Sequence, residues 1–454
     1  MTMSGVKRKH VFSSIEEEPP GECFVHDEVE EPPSCEVDEP PSTSAARKVE
    51  SFLRQIPEES WNDWKWHFRN RITTVEELSK YISLSPLDQQ QISLVARKYP
   101  LSITPYYLSL IDNTNPIDPI RAQSVPCFSE ITCNATGVED PLEEGKHSVV
   151  PGLVHRYPDR VLMVLTDLCS MLCRHCTRKR EWKNGGWVHT DAEIERMLDY
   201  IRNHSEVRDV IISGGDPLVL STQRLEYVIS GIRQISHVEI IRIGTRFPVV
   251  LPQRIDDELC NMLSKYGPIW LNTHFNHPNE ITPEAARACD KLVRAGVPVN
   301  NQSVLLKGVN DTLQIQTKLC HDLLKIKVRP YYLFQCDEVE GTEHFWTSVD
   351  AGIKIIEGMR GHTSGLAVPT YVIDLPNGGG KIPIQPDYVL MKTQDEMLVR
   401  NYQNRIFTYR NAKNGRKPAV RKTNKLLPQP LFPMEEFTTQ PVRVRRENRA
   451  YLRS

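Results

Sequence analysis

No run of about 18 apolar residues occurs in this chain, so no transmembrane helix is expected. The first residues have neither the apolar core of a secretory signal nor the Arg-rich, acid-poor character of a transit peptide. A cytoplasmic location with no membrane contact is therefore the expectation. Cysteine is sparse. Eleven in 454 residues do not make a disulfide framework, and clustered thiols in a reducing compartment read better as metal ligands or redox groups. Net charge is close to zero, with 56 basic against 58 acidic side chains. That balance argues against a wholly basic nucleic-acid binder. The phosphate loop G-x4-G-K-[ST] is missing.

The charge that is present is unevenly placed. Residues 1–45 hold three basic and eleven acidic side chains, whereas residues 411–454 hold eleven basic and three acidic. The first 47 residues also contain six prolines, and such a composition cannot build a core. An acidic disordered tail is expected over 1–47 and a basic tail over 401–454. Residues 48–145 read as a helical domain and a proline-marked linker, with Thr73 and Thr74 preceding Glu76 and Glu77 as a helix start.

Residues 146–400 alternate. Apolar β-branched runs at 161–166, 209–213, 238–244, 268–274, 297–306, 328–334 and 369–375 are separated by amphipathic stretches of helical length. Strand then helix, repeated six times or more, predicts an α/β fold with a parallel sheet. A full or partial (β/α) barrel and an open doubly wound sheet both suit this pattern. In either, reactive residues gather at the C-terminal strand ends.

The segment TDLCSMLCRHCTRKR follows the first of these strands and holds Cys169, Cys173 and Cys176 as C-x3-C-x2-C. A closed zinc site needs four ligands, with His175 the near candidate for the fourth. A [4Fe–4S] cluster on three cysteines leaves one iron open to an outside ligand. The stretch GGDPL places two glycines and Asp216 at a strand end, where backbone can approach a ligand and a carboxylate can meet an ammonium. The stretch LPNGGGK places Lys381 after three glycines, and a partly desolvated lysine can form a Schiff base. Taken singly, each of these has an ordinary structural reading as a turn, a cap or a surface loop.

Together they resemble one family. HRYPDRVLMVLTDLCSMLCRHCTRKR, RDVIISGGDPL, WLNTHFNHPNEIT, NQSVLLKGVND, RPYYLFQCD and GHTSGLAVPTYVIDLPNGGGK are similar, in order and spacing, to the lysine 2,3-aminomutases of the radical S-adenosylmethionine superfamily. The similarity runs from about Trp61 to Asn401. It implies a partial (β/α)6-type barrel behind an N-terminal helical domain. It implies a [4Fe–4S] cluster on Cys169, Cys173 and Cys176. It puts S-adenosylmethionine beside Gly214, Gly215, Asp216, His274 and Gln302. Pyridoxal phosphate is implied on Lys381, its phosphate clamped by Arg156 and Arg160. The substrate carboxylate is implied on Arg178 and its distal ammonium on Asp337 and Asp374. The implied reaction moves an amino group between adjacent carbons of an amino acid.

Two facing carboxylates favour a lysine side chain, disfavour glutamate and leave arginine open. A catalytically silent interaction module is disfavoured by the retention of all these groups. The resemblance also implies a one-electron donor of flavodoxin or ferredoxin type, and a homo-oligomer is compatible with it. One departure concerns the family's structural zinc, held by a barrel cysteine and three more near the C-terminus. Thr312 stands at the barrel position and no cysteine follows Cys336, so that zinc is not expected. Asn377 stands where the family commonly has glycine, a place Asn can fill because it tolerates unusual backbone angles.

Overall fold

All seven apolar runs form strands, with at least one α-helix between each consecutive pair. The protein is seen in a computed structural model that describes residues 56–411, apart from 134, 135 and 184. The expected acidic tail 1–47 lies outside the described residues, and so does the expected basic tail 401–454 beyond residue 411, its first residues instead forming a strand at Ile406–Arg410.

The seven runs become β3 (Arg160–Val164), β4 (Asp209–Ser213), β5 (Ile240–Gly244), β6 (Ile269–Thr273), β7 (Val299–Leu305), β8 (Val328–Gln335) and β9 (Thr370–Leu375). Every neighbouring pair among them is parallel. Two short strands, β1 (Ser148–Val150) and β2 (Leu153–Tyr157), add antiparallel to β3, and β10 (Gly380–Pro383) adds antiparallel to β9. The order in the sheet is the order in the chain. A doubly wound sheet reverses its order at a switch point, and this one does not. With crossovers of one hand, sequential order puts the helices on a single face, and the sheet curls as a partial barrel.

The ends of the curl approach each other without pairing as strands. The Lys381 N–H donates to the Tyr157 hydroxyl at 2.9 Å, and Arg156 Nε donates to the Gly378 carbonyl at 3.0 Å. Alternation assigns the two faces of each strand. Val210, Ile212, Ile241 and Ile243 are fully buried in the apolar core. Ile211, Ser213, Arg242 and Gly244 instead line the inner cavity.

Helices at Glu58–Asn62, Trp64–Arg69, Val75–Tyr81 and Pro86–Ala96 precede the barrel. Thr74 caps the third by accepting from the Glu77 N–H, as the sequence predicts. Leu78, Ile103 and Ile120 share one continuous apolar cluster with Met163 and Val210, so this helical layer packs directly on the barrel. No helix of the described residues is long and apolar enough to cross a membrane. Beyond β10, a meander of β11 (Val389–Lys392), β12 (Glu396–Arg400) and β13 (Ile406–Arg410) follows. Hydrophobic periodicity fades before β13 because all five of its residues are exposed, leaving no burial pattern in the sequence.

A buried ion triad joins the helical layer to the cysteine loop. Glu130 accepts from Arg174 Nη2 at 2.7 Å and from Lys179 Nζ at 2.8 Å, with all three side chains almost wholly enclosed. Burial alone would raise the Glu130 pKa, but Arg174 and Lys179 together hold it below the usual carboxylate range. Its stabilising contribution is therefore present above the ordinary carboxylate pKa and lost as pH falls through the depressed value. Glu130→Ala leaves two buried cations unopposed, and the expected loss is about 3–5 kcal/mol in denaturant unfolding. A loss under about 1 kcal/mol would show that solvent reaches the cations once the carboxylate is gone.

Candidate active site

The barrel encloses a cavity of about 680 Å³, within the usual range for ligand sites. Residues from β2 to β10 line it. Cys169, Cys173 and Cys176 line it too, and so do Lys381, Asp337, Asp374, Arg156, Arg160 and Arg178. The groups nominated for different tasks thus share one chamber.

The cysteine loop leaves the C-terminal end of β3 and is braced by the helical layer. Arg71 Nη1 donates to the Cys169 carbonyl at 2.8 Å. The Leu172 N–H donates to Ser102 O at 3.0 Å, and the Arg174 N–H to Gln123 O at 2.9 Å. Among the described residues, no three or more His, Cys, Asp or Glu side chains converge as a single-ion site. All three thiols line the chamber, and a cubane cluster takes each cysteine on a different iron. Burial raises the Cys169 thiol well above its usual value, with Cys176, Asp216 and Cys173 adding to the effect. Burial and Cys173 push Cys176 up to about 11. Sulfurs that repel each other's charge in this way suit a cationic iron centre.

The Gly-Gly-Asp stretch meets this loop from β4. A Cβ at Gly214 would overlap the Thr166 carbonyl, and one at Gly215 those of Asp167 and Leu168. The glycines are needed for backbone approach to the cysteine loop itself. Gly215 lines the cavity, while the Gly214 carbonyl accepts from Arg178 Nη1 at 3.1 Å. Asp216 is already engaged. It accepts from Thr245 Oγ1 at 2.7 Å, the Arg246 N–H at 2.7 Å and the Leu218 N–H at 3.1 Å. Burial still lifts its pKa to about 6. Across the chamber, His274 Nδ1 pairs with the Gln302 carbonyl at 2.7 Å. Burial, then Arg246, lowers His274 to about 4, so its ring is neutral at pH 7.

Lys381 extends from β10 over the Phe334 ring, its Nζ 3.9 Å from the centroid. The same Nζ donates to Asp374 Oδ2 at 2.7 Å. Burial lowers the lysine pKa, against the opposing pull of Asp374. Asp337 lies close enough to Asp374 to feel its charge. Burial first and Asp374 second raise Asp337 to about 7. Two buried arginine nitrogens, Arg156 Nη2 and Arg160 Nε, have no hydrogen-bond partner, although Asp159 stands 3.8 Å from the latter. Unpartnered buried guanidinium nitrogens beside a lysine fit the phosphate of a pyridoxal cofactor.

Comparison with known proteins decides the family. The family model described as lysine-2,3-aminomutase matches residues 356–439, and that of the radical SAM superfamily matches residues 163–314. L-lysine 2,3-aminomutase of Clostridium subterminale is 54% identical over 80% of this chain and 87% of its own. That of Fusobacterium nucleatum is 51% identical over 80% of this chain and 85% of its own. The chain belongs to the lysine 2,3-aminomutase family. It is a radical SAM isomerase of the aminomutase type. The family also has a relative with another substrate, since glutamate 2,3-aminomutase of Clostridioides difficile is 45% identical over 79% of this chain and 85% of its own.

Family membership sharpens the departures seen in the sequence. Thr312 is the N-cap of the helix Leu313–Lys325, accepting from the Ile315 N–H. Its side chain therefore serves the helix. Cys260, Cys289, Cys320 and Cys336 are buried, as core thiols should be. Asn377 adopts φ 54°, the left-handed backbone that asparagine supports.

Sequence reasoning missed two residues. Glu144 grips Arg178 from the side, accepting from Nε at 2.9 Å and Nη2 at 2.6 Å, and also accepts from Arg180 Nη2 at 2.7 Å. Burial would raise its pKa, but Arg178 and then Arg180 hold it at about 2. Arg246 reaches the sulfur of Cys173. A short charged loop and a lone arginine before an apolar run carried no spacing that could have flagged either.

Proposed function

We propose that the chain converts L-lysine to L-β-lysine (3,6-diaminohexanoate). The observation that carries this reading is that Asp337 and Asp374 face the same chamber as Lys381 and the three thiols. A pair of buried carboxylates selects a cationic side chain, and a substrate without the cation leaves them repelling each other.

The residues fit both expected groups. Cys169, Cys173 and Cys176 would hold a [4Fe–4S] cluster, with S-adenosylmethionine beside Gly215, His274 and Gln302. Lys381, Arg156 and Arg160 would hold pyridoxal phosphate. When bound, these groups supply a hydrogen-abstracting 5′-deoxyadenosyl radical and a π-system that carries the spin while nitrogen migrates from the α- to the β-carbon. The reducing electron comes from a donor of flavodoxin or ferredoxin type.

The chain's own residues bind, orient and exclude water. Arg178 has five N–H donors. Glu144 engages its Nε and Nη2, leaving one N–H on Nη2, while Nη1 donates to the Gly214 carbonyl at 3.1 Å and, at a long 3.5 Å, to Ser213 Oγ. The free N–H on Nη2, and the one on Nη1 that makes only the long Ser213 contact, suit a substrate carboxylate held by both oxygens. Asp374, which holds the Lys381 amine here, would meet the substrate's distal ammonium beside Asp337.

The test is an anaerobic assay with iron and sulfide reconstituted and pyridoxal phosphate, S-adenosylmethionine and dithionite added. Lysine, arginine and glutamate are offered separately. β-Lysine is expected from lysine, with little product from the other two. Product from arginine alone would reassign the aspartates to a guanidinium, and no β-amino acid from any substrate would remove the proposal.

A further inference from the structure

Arg246 follows β5 and is enclosed at the inner wall of the chamber, 7% exposed. Its Nη1 donates to Cys173 Sγ at 2.8 Å. Its Nε donates to the His274 carbonyl at 3.1 Å. Its Nη2 donates to Gln123 Oε1 at 2.6 Å and to Glu280 Oε1 at 2.7 Å. Three anchors, Gln123, His274 and Glu280, thus aim one guanidinium at one sulfur. Glu280 is fully buried and fixed in turn, accepting from the Tyr107 hydroxyl at 2.6 Å and from the Asn276 and His277 N–H groups at 2.5 and 2.9 Å. So firmly held an arginine cannot swing away when the sulfur takes up iron.

We propose that Arg246 sets the reduction potential of the cluster bound through Cys173, by donating a hydrogen bond to that sulfur while Glu280 partly offsets its charge. The proposal rests on the reading of Cys173 as a cluster ligand. Reduction adds one electron to the cluster and no proton, so the centre gains one negative charge. A donor and a positive charge at a ligating sulfur favour the more negative state and raise the potential. Glu280 acts in the opposite direction through Arg246, which makes the pair a positioning device with a sign of its own.

The test is a dithionite titration of reconstituted holoprotein, followed by the electron paramagnetic resonance signal of the reduced cluster without S-adenosylmethionine. Arg246→Gln is expected to lower the potential, Arg246→Lys to lower it less, and Glu280→Gln to raise it, all with wild-type iron and sulfide content. Opposite signs for Arg246→Gln and Glu280→Gln separate tuning from loosening, because loosening moves both the same way. Should Arg246→Gln fold poorly, with Glu280 left unopposed, the double variant Arg246→Gln/Glu280→Gln restores charge balance and is still expected at the lower potential. A wild-type potential in the double variant overturns the role of Arg246. Full iron and sulfide in Cys173→Ala would instead overturn the ligand reading beneath it.

Discussion

Lys381→Ala is expected to give a protein with no lysine-bound pyridoxal phosphate absorbance and only background aminomutase turnover, with its iron–sulfur spectrum unchanged. The expectation follows from position. Lys381 reaches into the cavity from β10, its amine between Asp374 and the Phe334 ring. Burial lowers its pKa, which raises the share of neutral amine able to attack a carbonyl carbon. The cysteine loop hangs from β3 and takes its bracing from Arg71, Ser102 and Gln123 in the helical layer. The cluster spectrum should therefore be indifferent to Lys381. Lys381→Arg keeps the charge opposite Asp374 and is expected to lose the absorbance equally. Absorbance retained in both variants would place the cofactor on another amine.

The second large effect concerns the carboxylate pair. Asp337→Asn and Asp374→Asn are each expected to lower kcat/KM for lysine by about 2–5 kcal/mol, roughly 30-fold or more, because one partner of a buried charge pair is removed. Discrimination against glutamate should shrink in the double variant, which no longer opposes a second carboxylate. The effect is also expected to depend on pH. Burial and Asp374 raise Asp337 to about 7, and a cationic side chain prefers the ionised form. Lysine affinity attributable to Asp337 should then rise with pH through about 7 and be lost below it. The ratio of wild type to Asp337→Asn isolates this from titration of lysine itself. A ratio flat between pH 6 and 8, as an order-of-magnitude window around that value, would remove Asp337 from the cation site.

Much of the architecture was legible because parallel strands and their crossover helices print period and length into the chain. The run at 209–213 alternates helix-facing Val210 and Ile212 with cavity-facing Ile211 and Ser213. Cysteine spacing was legible because one loop carries all three thiols. Pairings across long sequence separations were not. Glu144 lies 34 residues before the arginine it grips, and spacing does not tell which carboxylate meets which cation. Asp216 was legible as a carboxylate at a strand end, but the three donors it accepts, at Leu218, Thr245 and Arg246, belong to geometry alone. The glycines before it read as room for a ligand, yet their tightest neighbours are carbonyls of the cysteine loop.

The incompletely closed sheet has a consequence for assembly of the holoenzyme. Arg156 belongs to β2 and Lys381 to β10, on opposite sides of a seam crossed by the Tyr157 and Arg156 hydrogen bonds. Were the proposed pyridoxal phosphate clamped at its phosphate from one bank and joined covalently to the other, it would bridge that seam as a keystone closes an arch. Occupancy and closure would then be linked, and the cofactor's binding energy would add to the stability of the ring it completes.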